Sequence, residues 1–268
     1  VWFHRQLDSR FDCRGSESYL TYETPLEFVG NRITLEKHND GDHVYMDQTD
    51  EIKQFLVDFG LETIAPKIAA MPTNYLLTSD ETALGAEARL WFRQAVGVLN
   101  FFTRSTRFDI SHAMSRLSMV MAKPTSGSLK ALRHLAGYLR STTEFKIGGL
   151  RSTSDRFDFF SDSDHAGDRT LSMFSHTGVM LFLNFVPVHW RSNKQCASSI
   201  AASPAEAEIY ALKEAVADAR LLLWAAEDLA ISVTWPFVVQ VDSKQAKSFH
   251  DDTCLKSKLR PAFDLRES

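Results

Sequence analysis

Apolar residues recur at helical spacing in several stretches of this chain and at strand spacing between them. From Gln48 to Phe59, Ile52, Phe55, Leu56 and Phe59 share one face, and Gly60 supplies the stop. Ala86 to Thr103 carries a broad stripe of Leu90, Phe92, Ala95, Val96, Leu99 and Phe102. Ile110 to Met121 continues with Ala113, Met114, Leu117 and Val120, and Leu129 to Leu139 with Leu132, Leu135, Ala136 and Leu139. A longer helix is predicted from Ser203 to about Asp228. Ser203 stands at its N-cap, Pro204 in the first turn and Glu206 at the capping-box position.

Strand patterns fill the gaps. Phe28 to Leu35 reads as a strand interrupted by Gly30, with a polar turn at Asn39 to Asp42 and Val44 to Met46 as the returning partner. Arg156 to Ser161 alternates, and Thr177 to Leu183 with Val186 to Arg191 forms a hairpin about Asn184-Phe185. Phe237 to Val241 is a short apolar run suited to a buried strand. The pattern predicts a mixed α/β (α+β) chain in three sections: residues 1–85, a helical 86–150, and 151–268.

Composition adds limits. The chain has 268 residues, long enough for one large domain or up to two, and its 44% hydrophobic content is ample for a real core. Net charge is only −4, so any nucleic-acid signal must lie in its distribution. From Asn31 to Ile64 eight acidic residues face three basic ones, which reads as a solvated face. The aspartates there lack the spacing of a calcium loop. From Arg104 to Lys146 the balance reverses, with eight Lys or Arg against Asp109 and Glu144. That belt suits either phosphate contacts or a solvated basic face. Cys13, Cys196 and Cys254 have no metal or disulfide spacing, which fits a reducing intracellular compartment. The longest apolar run, Val179 to Val188, is broken by Asn184 and Pro187 and is too short to cross a bilayer. The start at Val1-Trp2-Phe3 reads as internal to a longer chain.

The candidate chemistry lies in carboxylates. The strand ending at Ser161 runs into Asp162-Ser163-Asp164-His165-Ala166-Gly167, and Asp242 ends the strand Phe237 to Val241. A carboxylate ending a buried strand is costly unless it is solvated, paired or holding a cation. Glu208 is placed about 200° round its helix from Glu206, on the face of Leu212 and Ala215, where a charge needs a reason. Asp164 reads either as a carboxylate supporting the site from behind or, the preferred reading, as a solvated turn residue. The histidines form no triad with a Ser or Cys nucleophile.

These residues also resemble a known family, the Pol proteins of copia-type LTR retrotransposons. Phe28-Val29-Gly30, Gln48, Phe59-Gly60 and Met71-Pro72 follow the order of the palm end and thumb of their reverse transcriptases. Phe92-Arg93, Val96-Gly97, Thr106-Arg107-Phe108-Asp109-Ile110 and Leu132-Arg133 through Thr142 are similar to the connecting segment, with Phe108 in place of a Pro. Asp162 to Asp168, Thr177-Gly178, Trp190 to Gln195, Ala205 to Leu212 and Val241 to Gln245 resemble the ribonuclease H part. His165 stands there for a Trp, and Pro204 within the cap is a second departure. The paired Asp-Asp of the polymerase site has no counterpart, since the only Asp-Asp is Asp251-Asp252 in a late loop.

The resemblance implies a ribonuclease H-like mixed sheet preceded by a palm-end, thumb and connection region. It implies Asp162, Glu208 and Asp242 as catalytic metal ligands for two Mg2+ ions, with Mn2+ as a substitute. The reaction would be hydrolysis of the RNA strand of an RNA–DNA hybrid. It shifts the basic belt toward nucleic acid, through Arg104, Arg107, Lys130, Arg133 and Arg140. The remainder of the Pol polyprotein is an expected partner, and no membrane is. The expected setting is intracellular, in cytoplasm, virus-like particle or nucleus. A fifth strand and a last helix bearing a fourth Asp are expected beyond Ser268, Asp264 resembling an earlier Ile-Asp-Ile-Arg helix. Chain ends clipped on both sides leave a second class open, a decayed element with at most nucleic-acid or partner binding. With the fourth Asp lacking, weak or no cleavage is expected of residues 1–268 alone.

Overall fold

Phe28 ends the first strand, β1 (Leu26–Phe28), and the chain reverses at once into β2 (Asn31–His38). Val29 and Gly30 both take positive φ, 49° and 65°, the geometry of a tight two-residue hairpin turn. A second hairpin leads to β3 (Gly41–Asp47) and then to helix α1 (Thr49–Asp58), where Asp47 Oδ1 accepts the Thr49 N–H at 3.0 Å. The computed structural model describes residues 20–72, 82–151, 156–165, 174–195, 201–233 and 237–241, and the backbone of 263–267.

Helices α2 (Ala86–Ser105), α3 (Ser111–Met119) and α4 (Ser126–Ser141) follow, with a single 3-10 turn at Phe108–Ile110 before α3. Their predicted stripes meet in one core with Ile52, Phe55 and Leu56 of α1. Phe92, Leu99, Leu117, Leu132 and Leu139 are among the side chains fully removed from water. Burial of each contributes roughly 1.5–3 kcal/mol. The segment after Gly60 lies along α4: the Lys67 N–H bonds the Gly137 carbonyl at 3.1 Å, and a Cβ at Gly137 would collide with the Ala65 carbonyl. After α4 the chain returns as β4 (Lys146–Leu150), which pairs antiparallel with β3 and completes a sheet in the order β1-β2-β3-β4. The helical reading of 86–150 does not foresee this strand. Gly148 is required in it, because its φ is +149° and a Cβ would strike the Val44 carbonyl.

A polar knot closes this first body. Arg107 is 1% exposed. Its Nε and Nη2 donate to the two Asp109 carboxylate oxygens at 3.0 and 2.7 Å, and Nη1 donates to the Thr142 carbonyl at 3.1 Å. Tyr138 donates its hydroxyl to Asp109 Oδ2 at 2.8 Å, and burial followed by that bond pushes the phenol pKa up. Thr106 donates to the Gln48 side chain at 2.8 Å. The expectation that Arg107 meets nucleic acid is therefore corrected: its guanidinium is enclosed and spent on Asp109 and Thr142.

The second body is a mixed sheet. Strands β5 (Phe157–Asp164), β6 (His176–Leu183) and β7 (Val186–Lys194) run antiparallel. Helix α5 (Pro204–Asp228) crosses to β8 (Phe237–Val241), and β9 (Phe263–Glu267) lies beyond it. The order is β7-β6-β5-β8-β9, with β5–β8 and β8–β9 parallel. Phe159 pairs with Val239 and Ser161 with Val241, the adjacency that the strand–helix–strand pattern predicts. The helix read around Asp264 is instead β9, so a fifth strand is already present. Helix α5 covers one face, packing Leu212, Ala215, Ala219 and Leu223 on Phe159, Val179, Leu181 and Val239. Ser203 caps it as expected, accepting the Glu206 N–H at 3.2 Å. Glu206 reaches one residue further out than a capping box, to the Ala202 N–H at 2.7 Å. This mixed α/β architecture is ribonuclease H-like.

Candidate active site

Strand β5 sorts its side chains by parity. Phe159 and Ser161 are buried toward α5, whereas Phe160, Asp162 and Asp164 alternate to the other face. The strand runs through both aspartates and does not stop at Ser161, which fixes Asp162 and Asp164 as strand residues. Asp164 is thus no turn residue, although it is exposed.

Ser163, between the two aspartates, gathers the site. Its N–H donates to Asp162 Oδ1 at 2.8 Å and to Glu208 Oε1 at 3.2 Å, and its hydroxyl donates to the same Glu208 oxygen at 2.6 Å. Two carboxylates from different elements therefore lie within hydrogen-bond reach of one amide. Glu208 is 8% exposed and Asp162 is open to solvent. Glu208 is placed by its helix, and the helix is anchored by Gln195, which donates to the Ala207 carbonyl at 2.9 Å and to Thr177 at 3.2 Å. Gln195 is almost fully buried, so the Lys194-Gln195 pair of the sequence splits into an exposed cation and an internal tether. His165 sets its Nε2 against the Ala201 carbonyl at 3.3 Å, near the start of α5. Sequence reasoning missed Ser163 and Gln195. Only the Asp-Ser-Asp spacing and the polar residue after Lys194 signalled them.

Asp242 lies outside the described residues. The last described residue of β8, Val241, is the register partner of Ser161. Among the described residues, no three His, Cys, Asp or Glu are grouped to hold a metal ion. Asp162 and Glu208 share the Ser163 amide as donor, and carboxylate oxygens of this kind suit a divalent cation that keeps several waters.

On the face away from α5, Asp162 and Asp164 line a cleft of about 500 Å3 between the sheet and the first body. Phe108, His112, His176 and Trp190 form its walls. The two bodies touch here. The Trp190 indole N–H donates to the Thr103 carbonyl, Phe108 stands edge-on to Trp190 at 5.9 Å, and His112 meets His176 at 5.9 Å. Of the expected nucleic-acid residues, Arg104, Lys130, Arg133 and Arg140 are exposed. Arg104 ends α2 beside β7, Lys130 and Arg133 lie on α4, and Arg140 donates to the Ile64 carbonyl.

The site thus sets a strand-borne Asp beside a helix-borne Glu, on a mixed ribonuclease H-like sheet joined to a helical body. Known proteins resemble the chain as follows. The Pol polyprotein of transposon RE1 from Arabidopsis thaliana is 31% identical over 152 residues, 57% of this chain and 10% of that protein. That of transposon RE2 is 26% identical over 242 residues, 85% of this chain and 16% of that protein. The chain thus spans a small part of the length of these relatives. A Plasmopara viticola protein named secreted RxLR effector protein 161 is 34% identical over 128 residues, 48% of this chain and 88% of that protein. The chain is similar, at modest identity and over much of its length, to copia-type retrotransposon Pol polyproteins.

No protein-family model matches the chain. Among solved structures, the foamy viral protease-reverse transcriptase in complex with dsDNA aligns at TM-score 0.49 and 13% identity, covering 91% of this chain and 44% of that one. The same protein in complex with an RNA/DNA hybrid aligns at TM-score 0.45. Among the described residues, no helix is long and apolar enough to cross a membrane.

Proposed function

We propose that this chain provides a ribonuclease H activity of a retrotransposon Pol polyprotein, hydrolysing the RNA strand of an RNA–DNA hybrid. The observation that carries the proposal is the convergence of Asp162 and Glu208 on the Ser163 amide. Asp162, Glu208 and, by resemblance, Asp242 would hold Mg2+. Bound there, paired divalent cations activate water and support the leaving oxygen. The chain's own residues prepare that chemistry. Ser163 fixes one Glu208 oxygen with two donors, so the carboxylate cannot swing away from the strand. Gln195 fixes the turn of α5 from which Glu208 projects. Asp162 stays solvent-facing, where a phosphodiester can approach. The hybrid itself is recognised by its shape and 2′-hydroxyls.

The test is cleavage of a hybrid labelled on its RNA strand, with and without magnesium. Cleavage, expected to be weak from these residues alone and stronger from a longer Pol chain, should require the metal. Asp162→Asn should lower the rate by about a thousandfold or more, equivalent to about 4 kcal/mol of lost transition-state stabilisation. An Asp162→Asn protein that cuts at the unaltered rate would end this reading.

A further inference from the structure

A second groove, of about 860 Å3, runs between helices α2–α3 and strand β7. Its lining includes Asn100, Arg104, Ser111, Arg191, Asn193 and Lys194, and no described carboxylate lines it. β7 is the edge strand of its sheet, and its residues from His189 to Lys194 line the groove. Arg104 and Lys194 are exposed and form no ion pair with a described residue. Lys194 Nζ instead rests 4.6 Å from the centre of the Phe174 ring. Arg191 is neutralised by Glu214 at 3.1 Å and Asp218 at 3.0 Å.

Two buried polar groups on the groove wall lack a hydrogen-bond partner among the described residues. Ser111 Oγ, on a residue 9% exposed, has none, and neither does Arg191 Nε. Positive heads, amides and hydroxyls without an opposing carboxylate are the donor set of a surface that follows phosphates. The groove also leads to the candidate active site, because Ser111, Trp190, Arg191 and Ser192 line both it and the cleft holding Asp162.

We propose that this groove seats the sugar–phosphate backbone of one nucleic-acid strand and leads it to Asp162. The proposal rests on the hybrid-cleaving reading and names the track of its substrate. Arg104 and Lys194 are the phosphate contacts, Asn100 and Asn193 are donors to phosphate or sugar oxygens, and Trp190 is the platform where groove and cleft meet.

The experiment measures binding of a short labelled RNA–DNA hybrid against salt, in magnesium-free buffer so that binding is separate from cutting. Four charge reversals are compared: Arg104→Glu and Lys194→Glu in the groove, Arg133→Glu on α4, and Lys53→Glu on the solvent face of α1. Thermal melts check that each is folded. Each groove reversal should weaken binding about tenfold beyond Lys53→Glu and reduce the salt slope by about one. Groove reversals that behave like Lys53→Glu overturn the proposal, as does loss confined to Arg133→Glu, which would route the strand over α4. A hybrid held by the groove but never cut would sink the nuclease reading and leave the groove standing. A hybrid cut normally with an unchanged salt slope would do the reverse.

Discussion

The Arg107 knot and the Asp162–Glu208 pair both set charges against the fold's own polar groups, and they do opposite things with them. At Arg107 a guanidinium meets a carboxylate in a forked pair, and Thr142 and Tyr138 occupy further donors and acceptors. The Arg107 guanidinium there is taken up by the fold's own acceptors. At Asp162 two like charges lean on one serine amide, with one of them open to water. Closed opposite charges make a structural joint; converging like charges make a place for a cation. Polar residues of a family motif therefore carry no single meaning until their partners are known.

The comparison breaks most readily at the knot. Arg107→Met should cost about 3 kcal/mol of stability by leaving Asp109 half-buried without its cation, read by urea unfolding. The salt slope of hybrid binding in the folded fraction should not change. A stable Arg107→Met protein with a lowered slope would show that Arg107 contacts phosphates after all.

Ser163 sharpens the other side. Ser163→Ala removes the hydroxyl donor to Glu208 and keeps the amide. Positioning through a supporting residue is worth about 10–100-fold, so the cleavage rate should fall by that factor with little change in KM or in melting temperature. Equal loss of stability and rate would make Ser163 an ordinary packing residue.

Much of this was legible beforehand because it is local. The stripes of α2 and α4, the Ser203-Pro204 helix start and the Asn184-Phe185 turn each carry their own signal. At that turn both residues take the positive φ that a tight hairpin needs. Strand β4 was not legible. Lys146-Ile147-Gly148-Gly149-Leu150 has little strand propensity and exists by pairing with β3, about a hundred residues earlier. β9 was read as a helix for the same reason: its strand state comes from β8 and not from its own residues. Arg107 failed differently. Charge counts treat every cation as exposed, and only Asp109 two residues on, with Tyr138 on α4 and Thr142 just after it, could have suggested a buried partner set. The pairing of Asp162 with Glu208 was legible through its strand and helix contexts, whereas Ser163, which joins them, looked like a spacer.

The central claim is that Asp162 and Glu208 form one cation-holding site, and the most direct measurement is the magnesium dependence of thermal unfolding. Magnesium binds the assembled site and not the unfolded chain, so the melting temperature of the unaltered protein should rise with its concentration. Glu208→Gln should remove that rise and, without magnesium, melt slightly higher than the unaltered protein. Like-charge repulsion screened by bulk water is worth about 1 kcal/mol at a separation of about 4 Å. An undiminished magnesium response in Glu208→Gln and Asp162→Asn would contradict the account.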